Sequence, residues 1–364
     1  MIIGVPKEIK TQEHRVGLLP SGVAQLVKNG HEVLVECCAG ADSGFPDYDY
    51  ANAGATLVDS HAEAFAADLV VKVKEPISSE YPFLRKGQII FSFLHLAANR
   101  GLTDALLKSG VTAIAYETVT RNQRRPLLEP MSEIAGRVAT IVGAHFLAKP
   151  QGGSGVLLGG VPGVLPGRVV ILGGGTSGTH AAQMALGLGA DTTILDIDLE
   201  RLRFLDLTLN GVHTLFSSPA HLMELLPTAD LILGAVLVPG AKAPKLLTRE
   251  MLKLMKPGSV FVDIAIDQGG CAETSRPTSH DNPTYVEKGV VHYCVTNMPG
   301  AYARTATQAL TNATYPYIDA LAQQGLVEAC RRHAGFVNGI VIKDGKVTLQ
   351  AVADAHGLSC SPLG

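Results

Sequence analysis

The sequence of 364 residues contains no tryptophan and few charges, with Lys, Arg, Asp and Glu together making up only 17%. The first absence removes intrinsic fluorescence as a useful probe, so binding has to be followed through the ligand. The second, set against 46% hydrophobic residues, excludes a disordered chain and predicts extra burial inside α/β layers or at subunit contacts. A basic excess is also missing. The net charge of −3 provides no global field for a nucleic-acid backbone or an anionic membrane, so an anionic ligand must be met by local cations or backbone N–H groups.

Cysteine is sparse and scattered. Cys37, Cys38, Cys271, Cys294, Cys330 and Cys360 show no C-x-x-C spacing, which excludes a small disulfide module and predicts core thiols in a reducing compartment. The histidines include no H-E-x-x-H pattern, and no Ser-centred nucleophile elbow is present. No continuous apolar run reaches the ~20 residues of a membrane span. The opening Met1-Ile2-Ile3-Gly4-Val5-Pro6-Lys7-Glu8 lacks a basic segment followed by a long apolar one, so a cytoplasmic protein without a secretory signal is expected.

What is there is alternation. Short β-rich runs and helix-length segments succeed one another, the signature of βαβ units and mainly parallel sheets. Expected strands in the first third are Ile2–Val5, Glu32–Glu36, Leu69–Lys74, Ile89–His95 and Ala113–Tyr116, with helices over Ser21–Asn29 and Thr103–Ser109 closed by Gly30 and Gly110. Met131–Lys149 reads as a long bridging helix, and the Gly-rich 151–163 stretch after it as a tight loop. A second series follows with strands at Val169–Leu172, Thr192–Asp196, Leu231–Ala235, Val260–Ile264 and Val290–Val295. Thr305–Leu321 then reads as a helix kinked at Pro316, and residues 337–346 as a terminal hairpin or cap. The expected architecture is α/β: two Rossmann-like domains with mainly parallel sheets, the nucleotide domain (131–299) inserted into a discontinuous substrate domain (1–130 and 300–364).

The sharpest motif is strand, G-x-G-x-x-G, helix: Arg168-Val169-Val170-Ile171-Leu172 followed by Gly173-Gly174-Gly175-Thr176-Ser177-Gly178. Gly173 permits a tight turn, Gly175 lets the backbone approach a pyrophosphate, and Gly178 lets the helix pack closely on the strand. Asp196 ends the next strand at the spacing of a ribose-binding acid, which favours NAD over NADP; Arg201 and Arg203, soon after it, soften that preference.

Polar residues at the ends of apolar strands are the next candidates. Asp267 follows the run 259–266, whereas Asp263, inside that run, reads as a hydrogen-bonded core carboxylate. His95 ends the run 89–94. Lys72 and Lys74 share one strand face, and Arg15 lies in the first strand-to-helix connection, where a guanidinium fork suits a carboxylate. Each also has a plain reading as a core histidine, a turn-forming acid or a solvated cation.

Taken in order, Gly4-Val5-Pro6-Lys7-Glu8, Glu13-His14-Arg15-Val16, Val71-Lys72-Val73-Lys74-Glu75-Pro76, Leu94-His95-Leu96-Ala97, Ala115-Tyr116-Glu117-Thr118, residues 234–240, residues 263–270 and Thr296-Asn297-Met298-Pro299-Gly300 resemble the bacterial L-alanine dehydrogenase family. That family is in turn similar to the NAD(H)-binding part of proton-translocating transhydrogenase. The match runs from Met1 to about Gln324.

The resemblance implies reversible oxidative deamination of L-alanine by NAD to pyruvate and ammonia, in a homohexamer. It implies His95 and Asp267 as the catalytic pair, and Arg15, Lys74, Met131 and Asn297 around the substrate. Ser132, Asp196, Arg201, Ser218, Val236, Leu237, Ile264, Asp267, Arg276, Asn297 and Met298 fall at coenzyme positions, beside Gly173, Gly175, Thr176, Ser177 and Gly178 of the loop. Where some members carry a magnesium-binding acid and histidine, this chain has Ala320 and Gln324, so no metal is expected. Two other readings stay open: a transhydrogenase domain with a separate membrane partner, and a silent NAD(H) sensor.

Overall fold

The computed structural model describes residues 1–236 and 243–363. The chain forms two compact units, one of Met1–Met131 with Tyr302–Gly364 and one of Ser132–Ala301. In chain order the strands are β1 (Ile2–Val5), β2 (Glu32–Glu36), β3 (Thr56–Val58), β4 (Leu69–Val71), β5 (Ile89–Ser92), β6 (Thr112–Ala115), β7 (Arg168–Leu172), β8 (Asp191–Asp196), β9 (Val212–Phe216), β10 (Leu231–Gly234), β11 (Val260–Asp263), β12 (Thr284–Glu287), β13 (Val290–Tyr293), β14 (Ile340–Lys343) and β15 (Lys346–Val347).

The sheet of the first unit has the order β3-β2-β1-β4-β5-β6-β14-β15. Pairs from β3 to β6 are parallel, and β14 and β15 are antiparallel additions. The second unit's sheet runs β9-β8-β7-β10-β11-β13-β12, antiparallel only at β12 among the described strands. Both follow the doubly wound order, in which the chain begins in mid-sheet, builds one way and crosses back to build the other. The reversal, between β1 and β4 or between β7 and β10, makes connections diverge at the strands' carboxyl ends and opens a crevice there. These central strands are covered on both faces, as parallel sheets require: Ile3, Val5, Leu69, Val70, Val71, Ile90 and Phe91 are inaccessible, as are Ile171, Leu231, Ile232, Leu233, Val260, Phe261 and Val262.

The expected α/β class and mainly parallel sheets are present, and the deviations have physical causes. β3, β9 and β12 were not anticipated; each is a sheet edge with exposed positions, so its sequence carries no continuous apolar run. β4 and β5 stop at Val71 and Ser92, short of Lys74 and His95. Pairing nevertheless continues past them, Lys72 N donating to Phe91 O and Phe93 N to Val73 O. The long helix near the end spans Ala303–Arg332 and contains Pro316, but its non-helical residue is Gly325, whose φ of 75° ends one helix and starts another. All six cysteines are free, yet only Cys271 and Cys294 are buried, so the expectation of core thiols fails for the other four. Among the described residues no helix is long and apolar enough to cross a membrane.

One partly buried polar cluster stabilises the first unit in a pH-dependent way. The short helix His61–Phe65, capped by Ser60, delivers His61 between two carboxylates, with Nδ1 2.6 Å from Glu36 and Nε2 2.8 Å from Glu80. Burial opposes charge on the imidazole, but the hydrogen bonds and negative charges of Glu36 and Glu80 outweigh it and raise the pKa to about 9. The resulting stability, on the order of 3 kcal/mol, is fully present below the ordinary value of 6.5 and is lost as pH rises toward 9. Thermal midpoints measured across that window should fall with pH in the parent chain and much less in His61→Gln. Parallel curves would remove the assignment.

Candidate active site

At the carboxyl end of β1 the chain turns through Pro6-Lys7-Glu8 and comes back as Glu13-His14-Arg15. Arg15 is only 2% exposed. Its Nε donates to Glu13 Oε1 at 2.6 Å and its Nη2 to Glu13 Oε2 at 2.5 Å, a fork on a carboxylate, while Nη1 lies 3.0 Å from Met131 Sδ. Burial would raise the Glu13 carboxyl, but the Arg15 ion pair and hydrogen bonds, with the charge of Lys74, hold it down at about 2. Glu13, which sequence reasoning passed over, is thus the anion shared by the two candidate substrate cations. Its spacing from Arg15 was the available signal. Arg15 and Lys74 both act on the Glu13 carboxylate, so within this trio at the β1/β4 crevice cations outnumber the acid, which suits a further anion.

His95 follows β5, the neighbour of β4, and so leaves the same end of the sheet. Its φ of 48° is left-handed, uncommon for a residue with a Cβ. Glu117, just past β6, holds that kink: its Oε1 accepts from His95 N at 2.7 Å, and Leu94 N donates to both carboxylate oxygens at 3.2 and 3.3 Å. The imidazole lies parallel to the Phe93 ring at 6.0 Å, with Nδ1 3.9 Å from Glu117 Oε1. About half of the side chain is exposed, so an imidazole on a fixed backbone faces outward. Glu117 was also missed; an acid directly after a strand, on the ligand side, was the clue.

In the second unit β7 ends at Leu172 and Gly173 turns with φ 101°. A Cβ on Gly178 would stand 1.8 Å from Gly173 O, so the helix Thr176–Gly187 packs on the turn at a distance only glycine permits. At Gly175 nothing among the described residues lies within 4 Å of where a Cβ would be, which leaves the loop face open to a ligand. Among the described residues no side chain caps this helix, whose first turn contains Thr176 and Ser177; Ser177 Oγ donates to Ser132 O at 2.9 Å. Asp196 sits against the loop, accepting from Gly174 N at 2.6 Å and from Asp198 N at 2.9 Å. Arg201 donates to Gly174 O at 2.5 Å and to Thr179 Oγ1 at 2.6 Å and stacks on Phe204.

The strand carrying the second acid ends earlier than expected. β11 stops at Asp263, and Asp267 lies on a 3-10 turn, Ile264–Gln268, that exposes it. Asp263 causes the turn: its carboxylate accepts from Ala265 N at 3.0 Å, Cys271 N at 2.9 Å and Ser275 Oγ at 2.5 Å. Asp263 therefore binds both ends of the loop bearing Asp267, in keeping with its reading as a core carboxylate.

The remaining expected positions vary. Arg276 is exposed and stacks on Tyr285 at 4.0 Å. Ser218 caps the helix Pro219–Leu225, accepting from His221 N at 3.2 Å. Val236 and Ile264 are half-buried after β10 and β11, Asn297 is left-handed at φ 59°, and Met298 is buried. Leu237 lies outside the described residues. The structure therefore groups Arg15, Glu13, Met131 and Lys74 in one unit, and the glycine loop, Asp196, Arg201 and Ser132 in the other.

Two family models match the chain: "Alanine dehydrogenase/PNT, N-terminal domain" over residues 4–135, and "Alanine dehydrogenase/PNT, C-terminal domain" over residues 139–350. A protein from Halomonas elongata named alanine dehydrogenase is 56% identical over 361 residues, covering 98% of this chain and 97% of that protein. A solved structure titled L-alanine dehydrogenase superposes with a TM-score of 0.95 at 52% identity, over 98% of this chain and 99% of that one. A solved transhydrogenase from Sinorhizobium meliloti gives a TM-score of 0.81 at 27% identity, over 96% of this chain and 100% of that one.

Proposed function

The chain belongs to the alanine dehydrogenase/PNT family, and on that premise we propose that it is an NAD-dependent L-alanine dehydrogenase, oxidising L-alanine to pyruvate and ammonia and running the reverse reductive amination. The observation that carries the reading is the Arg15–Glu13–Lys74 constellation, a buried cationic site for one carboxylate at the crevice of the first sheet. A site for a second nucleotide or a protein partner would not call for it.

The coenzyme, when bound, supplies the hydride acceptor. The open face at Gly175 and the uncapped helix start fit a pyrophosphate, and Asp196 retains acceptor capacity for ribose hydroxyls while repelling a 2′-phosphate. Arg201 is engaged with Gly174 O and Thr179, and Arg203 pairs with Glu200, which supports NAD over NADP. Arg15 and Lys74 bind the carboxylate and the carbonyl oxygen, fixing the α-carbon by positioning. Hydride leaves that carbon only from the neutral amine, so His95 takes the amine proton and passes it to solvent. It then takes a proton from the water that adds to the iminium and returns it to the nitrogen, which leaves as ammonia as the hydroxyl proton passes back to His95 and the carbonyl forms. Asp267 stabilises the cationic iminium and orients that water.

A spectrophotometric panel of amino acids with NAD and NADP tests this. Alanine with NAD should give steady growth of NADH absorbance. In Asp196→Ala the NAD to NADP preference should shrink by about tenfold or more, the worth of one charged hydrogen bond. No turnover of alanine by the parent chain would favour the transhydrogenase reading that the Sinorhizobium structure keeps in view, and an unaltered coenzyme ratio would remove Asp196.

A further inference from the structure

Past β4 the chain runs Lys72-Val73-Lys74, and an acid from the first β-to-α connection grips it. Glu8 Oε1 accepts from Val73 N at 2.7 Å and from Lys74 N at 3.3 Å. The Val73 carbonyl faces the opposite way and accepts from Phe93 N at 3.1 Å. The other Glu8 oxygen, Oε2, lies 3.3 Å from Lys72 Nζ, which in turn lies 2.8 Å from Glu80 Oε1. Glu80 Oε2 accepts from Ile77 N at 2.6 Å. The segment from Lys72 to Glu80 is thus held near both ends by carboxylates that share one ammonium.

All three charges are inside the protein. The side chains of Glu8, Lys72 and Glu80 are 2%, 1% and 1% exposed. Desolvating ions is costly, and an apolar trio of similar volume would pack there without that cost, so stability alone is a poor reason for the arrangement. A carboxylate provides something an apolar residue does not: one oxygen on two successive backbone N–H groups beyond the strand end, at a distance set by the length of its side chain. At 2% exposure Glu8 is too deep to touch a substrate itself. Lys74, whose amide it holds, is the half-buried cation of the constellation.

We infer that Glu8 is a positioning residue: its carboxylate, neutralised by Lys72, fixes the backbone from which the Lys74 ammonium reaches the substrate. The inference rests on the proposed role of Lys74 in binding pyruvate and alanine. It separates two properties of Glu8 that substitution can pull apart. Reach holds the Val73 and Lys74 amides, and charge satisfies Lys72.

Glu8→Asp keeps the charge and shortens the reach by one methylene, whereas Glu8→Gln keeps the reach and removes the charge. With NADH and ammonia saturating, the KM for pyruvate should rise by at least about tenfold in Glu8→Asp and by less in Glu8→Gln. The thermal midpoint should show the opposite order, because Glu8→Gln takes one of two carboxylates from the buried Lys72 ammonium and can turn an amide NH₂ toward it. The affinity for NADH, whose loop lies in the other unit, should stay unchanged in both. A pyruvate KM that follows the thermal midpoint, worse in Glu8→Gln than in Glu8→Asp, or a parental KM in Glu8→Asp, overturns the inference. Failure of the parent chain to reduce pyruvate would instead overturn the proposed function.

Discussion

His95→Ala should lower kcat for alanine oxidation by about 10²–10⁴-fold, the usual worth of a positioned general base, while NADH still binds. The expectation rests on how the imidazole is held. A residue with a Cβ occupies the left-handed region at His95 only because the Glu117 carboxylate takes the N–H groups of both Leu94 and His95. The ring lies parallel to Phe93 and the side chain is half exposed, so the imidazole leaves a fixed backbone toward solvent and a ligand can reach it. Removing the ring leaves that backbone clamp and the whole nucleotide loop untouched. The chain has no tryptophan, so NADH emission can be titrated without transfer from the protein, giving coenzyme affinity and turnover on the same preparations. Parental rates in this variant would sink the role.

Arg15→Met should do two separable things. The first is to a ligand: the Nε–Nη2 fork holds Glu13, and loss of the charged hydrogen bonds that the other side of the guanidinium would give a substrate carboxylate removes about 1.5–3 kcal/mol, so the KM for pyruvate should climb roughly 10- to 100-fold. The second is to the fold. Glu13 is 1% exposed at its side chain and bonded through both oxygens to Arg15, so deleting the partner takes the hydrogen-bonded cation from a buried carboxylate, at up to about 3–5 kcal/mol. Adding Glu13→Gln to Arg15→Met removes that stranded charge and should restore most of the thermal midpoint without restoring pyruvate affinity. If the double variant regains both, Arg15 acts through the fold alone; if Arg15→Met keeps the parental KM, it does not hold the substrate.

Much of the fold and of the nucleotide loop is legible in the amino-acid sequence. β1 and β2 have the bounds their apolar pattern implies, and the glycine turn with Asp196 reads directly because turn, helix start and acid each impose a residue type at a fixed spacing. Edge strands are illegible, since β3 and β9 bury too little to need an apolar run. The acids Glu8, Glu13, Glu117 and Asp263 stand within recognisable motifs, but nothing in those motifs names their partners. A carboxylate serving a backbone amide beyond the neighbouring strand of the sheet leaves no periodicity, and only the sheet order reveals which amide that is. The same limit explains Asp267, expected at a strand end that Asp263 in fact makes by drawing the backbone into a turn.

The first unit's sheet is finished by β14, which pairs with β6 although the whole second unit intervenes in the chain. During synthesis the second unit has all its strands before that partner leaves the ribosome, so the β6 edge of the nascent chain stays unpaired through most of translation. An open edge strand that itself carries Ala113, Ile114 and Ala115 is a template for other chains. Premature termination after the second unit would therefore release a product prone to aggregate, with the folded nucleotide half attached to an unfinished partner.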